Sequence, residues 1–217
     1  MEIWSLGHSS FRLRGKEAIL VLDPPSPGYG ASLKGISADI VCVTHDHPGH
    51  NNVAGIGGTP YVVRGPGEYE VGGVLISALR AFHDAKRGEE RGGNNLFAIH
   101  MDDLLICHLG DLGHPLTASQ QEEINGCDIL MVPVGGHTTI NAQQAADLVS
   151  AVEPSIIIPM HYGTGNPPKS GIPLDPVDAF CHAMGAPIAE AQPKLVVTRA
   201  NIPAAPQIVI LTQRGQS

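Results

Sequence analysis

The sequence predicts an α/β protein in which two β-sheets pack against each other and helices cover their outer faces. The first half of the chain has many short apolar runs separated by turns rich in glycine and proline, which is typical of short strands. The second half alternates helical and strand patterns. Of the 217 residues, 42% are hydrophobic and 16% are charged, so the chain has enough apolar residues for a large core. We expect one domain over residues 1–217.

Short apolar or alternating runs predict nine strands in the first half of the chain. They cover residues 3–6, 11–13, 18–22, 39–43, 61–63, 68–71, 74–79, 96–100 and 104–107. Turn residues separate most of the strands after residue 60, which predicts antiparallel hairpins. The charged, glycine-rich segment 86–93 predicts an exposed loop between two of them.

Helix signals appear only in the second half of the chain. Thr117 and Asn141 are good N-caps for helices over residues 117–124 and 141–152, and Gly185 follows a third helix over 175–184. Strands are predicted between and after these helices, at 129–132, 155–160, 195–198 and 208–211. This order favours helices packed outside the sheets.

Charge and composition exclude several classes of function. The net charge of −8 disfavours binding to nucleic-acid phosphates. The N-terminus does not resemble a signal peptide, and no apolar run approaches the roughly 18 residues that span a membrane. We expect a cytoplasmic protein with a small-molecule substrate and no membrane partner, and we leave homo-oligomerisation open. The cysteines form no CxxC pair, which predicts buried free thiols.

Three histidines follow directly on the strand predicted at 39–43. His45 and His47 project to the same side if the strand geometry continues, and the turn at Pro48 and Gly49 brings His50 towards them. Imidazole is the commonest ligand of zinc-like ions, and a catalytic site needs several ligands and an open position. The spacing therefore predicts a metal site.

This segment resembles the THxHxDH signature of the metallo-β-lactamase superfamily. It reads Thr44-His45-Asp46-His47-Pro48-Gly49-His50. Other landmarks of the family follow in the expected order, namely Asp23, His83, Asp111 and His161. The opening Gly7-His8-Ser9-Ser10 and the short chain look most like the branch that contains the L-ascorbate-6-phosphate lactonases.

The resemblance implies a four-layered αββα sandwich with one or two divalent ions at one sheet edge, zinc first, with iron or manganese as alternatives. It assigns His45, His47 and His83 to one ion, and His50 and His161 to the other. It places Asp111 between the two ions. It also implies a hydrolase that uses a metal-bound hydroxide on a small soluble substrate such as a lactone, ester or phosphoester.

One position departs from the family pattern. Gly49 stands where the family has a ligand aspartate, so the second ion lacks one ligand. This leaves three outcomes open: two ions with one bound weakly, a single ion, or a metal-binding relative without catalysis. A serine or cysteine hydrolase is a further alternative, but the chain has no GxSxG motif.

The candidate catalytic residues are Asp111, His50 and His114. His114 is the candidate for contact with the substrate because it follows a glycine in a loop. We expect His8 and His108 to be hydrogen-bonded structural histidines rather than ligands. Asp23 is expected to hold the histidine loop. Arg91 is a candidate for binding an anionic group of the substrate.

Overall fold

The computed structural model describes residues 1–165 and 171–213. The strands in these residues are β1 Glu2–Gly7, β2 Ser10–Arg14, β3 Ile19–Leu22, β4 Ile40–Cys42, β5 Tyr61–Val63, β6 Gly67–Val71, β7 Val74–Phe82, β8 Gly93–Met101, β9 Leu104–His108, β10 Ile129–Pro133, β11 Ile156–Met160, β12 Leu195–Val196 and β13 Gln207–Ile208. The α-helices are α1 Ala118–Ile124, α2 Ala142–Val152 and α3 Val177–Ala183.

The strands form two mixed sheets. The first sheet has the order β12-β1-β2-β3-β4-β5, and the second has the order β13-β11-β10-β9-β8-β7-β6. Strands β3, β4 and β5 are parallel to one another, as are β9, β10, β11 and β13, whereas the remaining neighbours are antiparallel. The predicted fold class of two packed sheets with helices outside is confirmed.

The main core lies between the two sheets and follows from the alternation of side chains along each strand. In β3, Leu20 and Leu22 face this core, whereas Val21 points to the other side of the first sheet. In β10, Met131 faces the same core and Leu130 points to the helices. Each central strand is apolar on both faces because both faces are covered.

Two different outer layers complete the sandwich. The helices pack on the second sheet through buried residues such as Val149 of α2 and Phe180 of α3. Thr117 and Asn141 cap α1 and α2 with complete capping boxes, as the sequence predicts. Over the first sheet the outer layer consists of the segment 31–38 and a single 3₁₀ turn, Val53–Gly55. None of the helices in residues 1–165 and 171–213 is long and apolar enough to cross a membrane.

The predicted hairpins hold for β6 to β9, but the expected hairpin between β5 and β6 is wrong. Strand β5 pairs in parallel with β4 in the first sheet, and β6 forms the edge of the second sheet. Strands β7 and β8 extend to Phe82 and Gly93, further than predicted, because polar Asn94 and Asn95 continue the pairing. The four cysteines are buried free thiols, as expected.

Candidate metal centre

The candidate residues lie where strands of both sheets end. Strands β1, β3 and β4 run in one direction in the first sheet, and β7, β9 and β11 do so in the second. Their carboxyl ends therefore meet at one edge of the sandwich. The residues that follow these ends are His8, Asp23, the segment 44–50, His83, Asp111 and His161.

Four imidazole rings converge on one oxygen of the buried Asp111 carboxylate. The Nε2 atoms of His50 and His161 each lie 3.2 Å from Asp111 Oδ2. The corresponding distances are 3.4 Å for His83 and 3.8 Å for His45. The structure thus brings together residues from distant parts of the sequence at one carboxylate.

The donor set fits a divalent metal ion. Donor atoms that lie 2.0–2.1 Å from a tetrahedral ion are about 3.3 Å apart, close to the spacing around Asp111. The Nε2 atoms of His45 and His50 are buried and have no hydrogen-bond partner. Buried polar atoms are rarely left unpaired, so these two nitrogens are suited to bind a cation. The ligand atoms of His45, His83 and Asp111 all lie within 4.8 Å of one another.

His47 lies at the more open side of the cluster. Its ring stacks on the ring of His45 with centroids 6.0 Å apart, and its Nδ1 accepts a hydrogen bond from the backbone N–H of Gly49 at 3.2 Å. Its remaining ring nitrogen is available, and one ring nitrogen of His47 lies within 4.8 Å of ligand atoms of both His45 and His50. The segment 44–50 therefore presents all three of its histidines to the same place.

Asp23 and Thr44 set the orientation of two of these rings. Asp23 accepts hydrogen bonds from His50 Nδ1 at 2.8 Å, from the Thr44 hydroxyl at 2.7 Å and from the Thr44 backbone N–H at 2.8 Å. The Thr44 hydroxyl in turn accepts from His45 Nδ1 at 2.9 Å. Because each Nδ1 is used in this way, each Nε2 faces the cluster.

The Asp111 segment depends on residues that the sequence did not single out. The Asp111 backbone N–H donates to Asn94 Oδ1 at 3.0 Å, and the Ser9 hydroxyl donates to Asp111 Oδ1 at 3.2 Å. A Cβ atom on Gly110 would lie only 2.3 Å from Asn94 Oδ1, so only glycine fits there. Asn94 also bonds the Leu109 carbonyl, so its amide holds the whole turn.

Burial and neighbouring opposite charges shift the pKa values of the cluster in opposite directions. Burial lowers the pKa of His45 to about 3. Burial also opposes the charge on His50, but Asp111 and Asp23 outweigh it and raise the pKa of His50 to about 10. The burial of Asp111 is outweighed by His161 and His50, which hold the pKa of that carboxyl well below its usual range.

The structure does not bring His114 into the cluster. Its Nε2 accepts from the Phe82 backbone N–H at 3.1 Å, and its Nδ1 donates to the Pro115 carbonyl at 2.7 Å. Both ring nitrogens are thus used by the backbone, and His114 lines a separate apolar pocket beside α2. His108 is structural as expected, because its Nε2 bonds the Ser9 carbonyl at 2.8 Å. His8 instead contacts the cluster, where its ring lies 4.3 Å from that of His161.

A cavity of about 340 Å³ opens onto the cluster. Its walls include Tyr29, Arg91, Thr138 and Leu174 together with the exposed sides of the histidines. The floor of the cavity thus consists of candidate metal ligands, and its walls combine polar and apolar side chains.

Arg91 reaches this cavity because Asp84 folds the charged loop back on itself. The Asp84 carboxylate accepts four backbone N–H groups of the loop, from Lys86, Gly88, Glu90 and Arg91, at 2.7 to 3.1 Å. Burial opposes the charge, but these bonds outweigh it and lower the pKa of Asp84 to about 2. The only signal in the sequence is an aspartate before a glycine-rich loop, which favours a turn without predicting this contact.

A two-sheet sandwich with histidines and an aspartate grouped at the carboxyl ends of its strands is the architecture of a metal-binding protein of the metallo-β-lactamase type. The family model described as the beta-lactamase superfamily domain matches residues 2–161. The chain therefore belongs to the metallo-β-lactamase superfamily.

Individual relatives agree with this assignment. A protein of Staphylothermus marinus named as a metal-dependent hydrolase is 30% identical, and the match covers 76% of this chain and 85% of the relative. A crystal structure from Thermotoga maritima, described as a proposed Zn-dependent hydrolase of the same superfamily, is 32% identical with a TM-score of 0.79, and the match covers 97% of each chain. Igni18 of Ignicoccus hospitalis, at 22% identity and a TM-score of 0.67, shows the fold alone. The first two relatives and the grouped imidazoles support divalent-metal binding, whereas the lactonase branch stays a prediction.

Proposed function

We propose that the chain is a metal-dependent hydrolase of a small soluble substrate. The observation that carries this proposal is the convergence of four imidazole nitrogens on one oxygen of the buried Asp111 carboxylate. Its relatives from Staphylothermus and Thermotoga, named as hydrolases, support the same chemistry. When bound, divalent ions supply Lewis acidity and lower the pKa of a coordinated water.

The ligands would divide between two adjacent ion sites. His45, His47 and His83 would hold one ion, His50 and His161 would hold the other, and Asp111 would be shared. Asp23 and Thr44 fix the rings of His50 and His45, so the ligands need little rearrangement when an ion binds. A donor set dominated by imidazole favours zinc or iron over manganese.

The cavity supports an ester, lactone or phosphoester that carries an anionic group. Its volume of about 340 Å³ is near the small end of ligand sites in proteins. Arg91 lines its wall, with Nη1 of its guanidinium 3.3 Å from the Glu90 carboxylate. A guanidinium can bind a carboxylate or phosphate through two hydrogen bonds. Ile172 and Leu174 line the same space and offer apolar contacts to the rest of the substrate.

The test is the metal content of the purified chain after zinc, iron or manganese supplementation, together with hydrolysis of a panel of esters, lactones and phosphoesters. We expect at least one equivalent of metal, and we expect chelation to abolish hydrolysis. Asp111→Ala should lose the metal and the activity, whereas His100→Ala, at an exposed position near the end of β8, should keep both. Less than about one equivalent after supplementation, or full activity after complete chelation, would overturn the proposal.

A second candidate, a metal-binding relative without turnover, is favoured by Gly49 alone. It predicts that no substrate in the panel is hydrolysed by the wild-type chain, and that Gly49→Asp creates hydrolysis. Turnover by the wild-type chain excludes this candidate.

A further inference from the structure

The place of the missing family ligand is bordered by another side chain. Gly49 is buried, and its backbone lies outside the left-handed region, so the backbone itself accepts an L residue. A Cβ atom at this position would lie 3.2 Å from Cδ2 of His8, 3.2 Å from Nδ1 of His47 and 3.4 Å from Tyr29. The ring of His8 therefore occupies part of the space that a side chain at position 49 would fill.

The ring of His8 lies on the side of the second ion site. Its centroid is 4.3 Å from that of His161 and 5.3 Å from that of His50, the two histidines assigned to the second ion. A ring nitrogen of His8 lies within 4.8 Å of ligand atoms of both His50 and Asp111. Two ligands of the second site and His8 thus form a group with the dimensions of a metal site.

The backbone conformation of His8 is energetically unfavourable. His8 has a φ of +56°, a conformation that is unfavourable for residues other than glycine and tends to persist at functional sites. Its carbonyl accepts the His161 backbone N–H at 3.3 Å. The next residue, Ser9, bonds Asp111, so the turn between β1 and β2 is tied to two ligands of the centre.

We infer that His8 supplies the ligand that Gly49 lacks, so that the second ion is held by His8, His50, His161 and the shared Asp111. This inference rests on the proposed metal-dependent function. It replaces an anionic ligand by a neutral one, which favours metals that prefer nitrogen donors. The exchange of ligands explains why position 49 carries no side chain, because a residue there would crowd the ring that took over its role.

The experiment moves the ligand back to position 49. His8→Gly removes the ring and suits the positive φ, so the fold should hold, which a thermal melt in chelator checks. His8→Gly/Gly49→Asp adds the carboxylate into the space left by the ring. His137→Gly is the matched control, because His137 also has a φ of +56° but lies in an exposed loop. Each protein is dialysed against zinc or cobalt, its metal content is measured, and the visible spectrum of the cobalt form is recorded.

We expect two equivalents in the wild type and in His137→Gly, one in His8→Gly, and two again in the double variant. The cobalt spectrum of His8→Gly should lose the bands of one site, and the double variant should bind manganese at least tenfold more tightly than the wild type does. Two equivalents in His8→Gly with affinities within about threefold of wild type, or a single equivalent in the wild type, would overturn the role of His8 and leave the hydrolase proposal intact. Less than one equivalent in the wild type would instead contradict the proposed function itself.

Discussion

Two buried aspartates flank the candidate centre, and they use the same chemistry for different ends. Asp23 accepts hydrogen bonds from Thr44 and from the ring of His50, so it acts on a ligand. Asp84 accepts hydrogen bonds from four backbone N–H groups of the loop that carries Arg91, so it shapes a wall of the cavity. Both carboxylates are buried, so burial does not distinguish their roles. The hydrogen-bond donors around each carboxylate do.

In the comparison of these two aspartates, we expect the largest effect on metal affinity from Asp23→Ala. Asp23→Ala frees the Nδ1 side of His50 and the Thr44 hydroxyl, so both rings lose their fixed orientation. We expect the affinity for metal to fall by about 10- to 100-fold, measured by competition with a chelator. Asp39→Ala is the control, since Asp39 is exposed and its carboxylate accepts the backbone N–H of Ile19, far from the candidate ligands in sequence. Unchanged metal affinity in Asp23→Ala would remove the distinction between the two aspartates.

Asp84→Ala should show the opposite pattern. The loop over residues 85–92 loses the acceptor of four N–H groups, so Arg91 is no longer held at the cavity wall. We expect unchanged metal content, an increase of KM by about tenfold, and rapid tryptic cleavage in the loop. A loss of metal as large as that of Asp23→Ala would show that the loop, too, supports the ligands.

The smallest expected effect is the loss of order in the loop over residues 85–92 at acidic pH. The pKa of Asp84 is lowered from 3.8 to about 2, so its charged form stabilises the folded loop. This contribution is complete above about pH 4 and is lost as the pH falls through about 2. The protection of the loop amides of residues 86–91 against hydrogen exchange should therefore be high at pH 4 and fall near pH 2. Equal protection at both pH values would mean that the loop is not held by the Asp84 charge.

The sequence predicts most of the fold because its local signals are strong. Short apolar runs predict β3 and β10, and Thr117 and Asn141 mark the starts of α1 and α2 within one residue. The pairing of β5 is beyond local signals. The turn at 65–67 indicates a change of direction, but nothing in it states that the next strand joins the other sheet.

The candidate site is predicted less evenly. The order of histidines and aspartates along the chain identifies the residues that meet at Asp111, because the family motif covers them. It does not separate His8 from His114, since both follow a glycine near a strand end. The two differ only in the folded chain, where the backbone of Phe82 uses the ring of His114 and the turn of His8 opens towards His161.

The carbonyl of His8 bonds the N–H of His161, so the centre joins the beginning of the chain to its last parallel strands. Contacts between distant parts of a chain form late in the folding of a domain. On the proposed assignment, the second ion would therefore bind only after the turn that follows β1 and the end of β11 have come together.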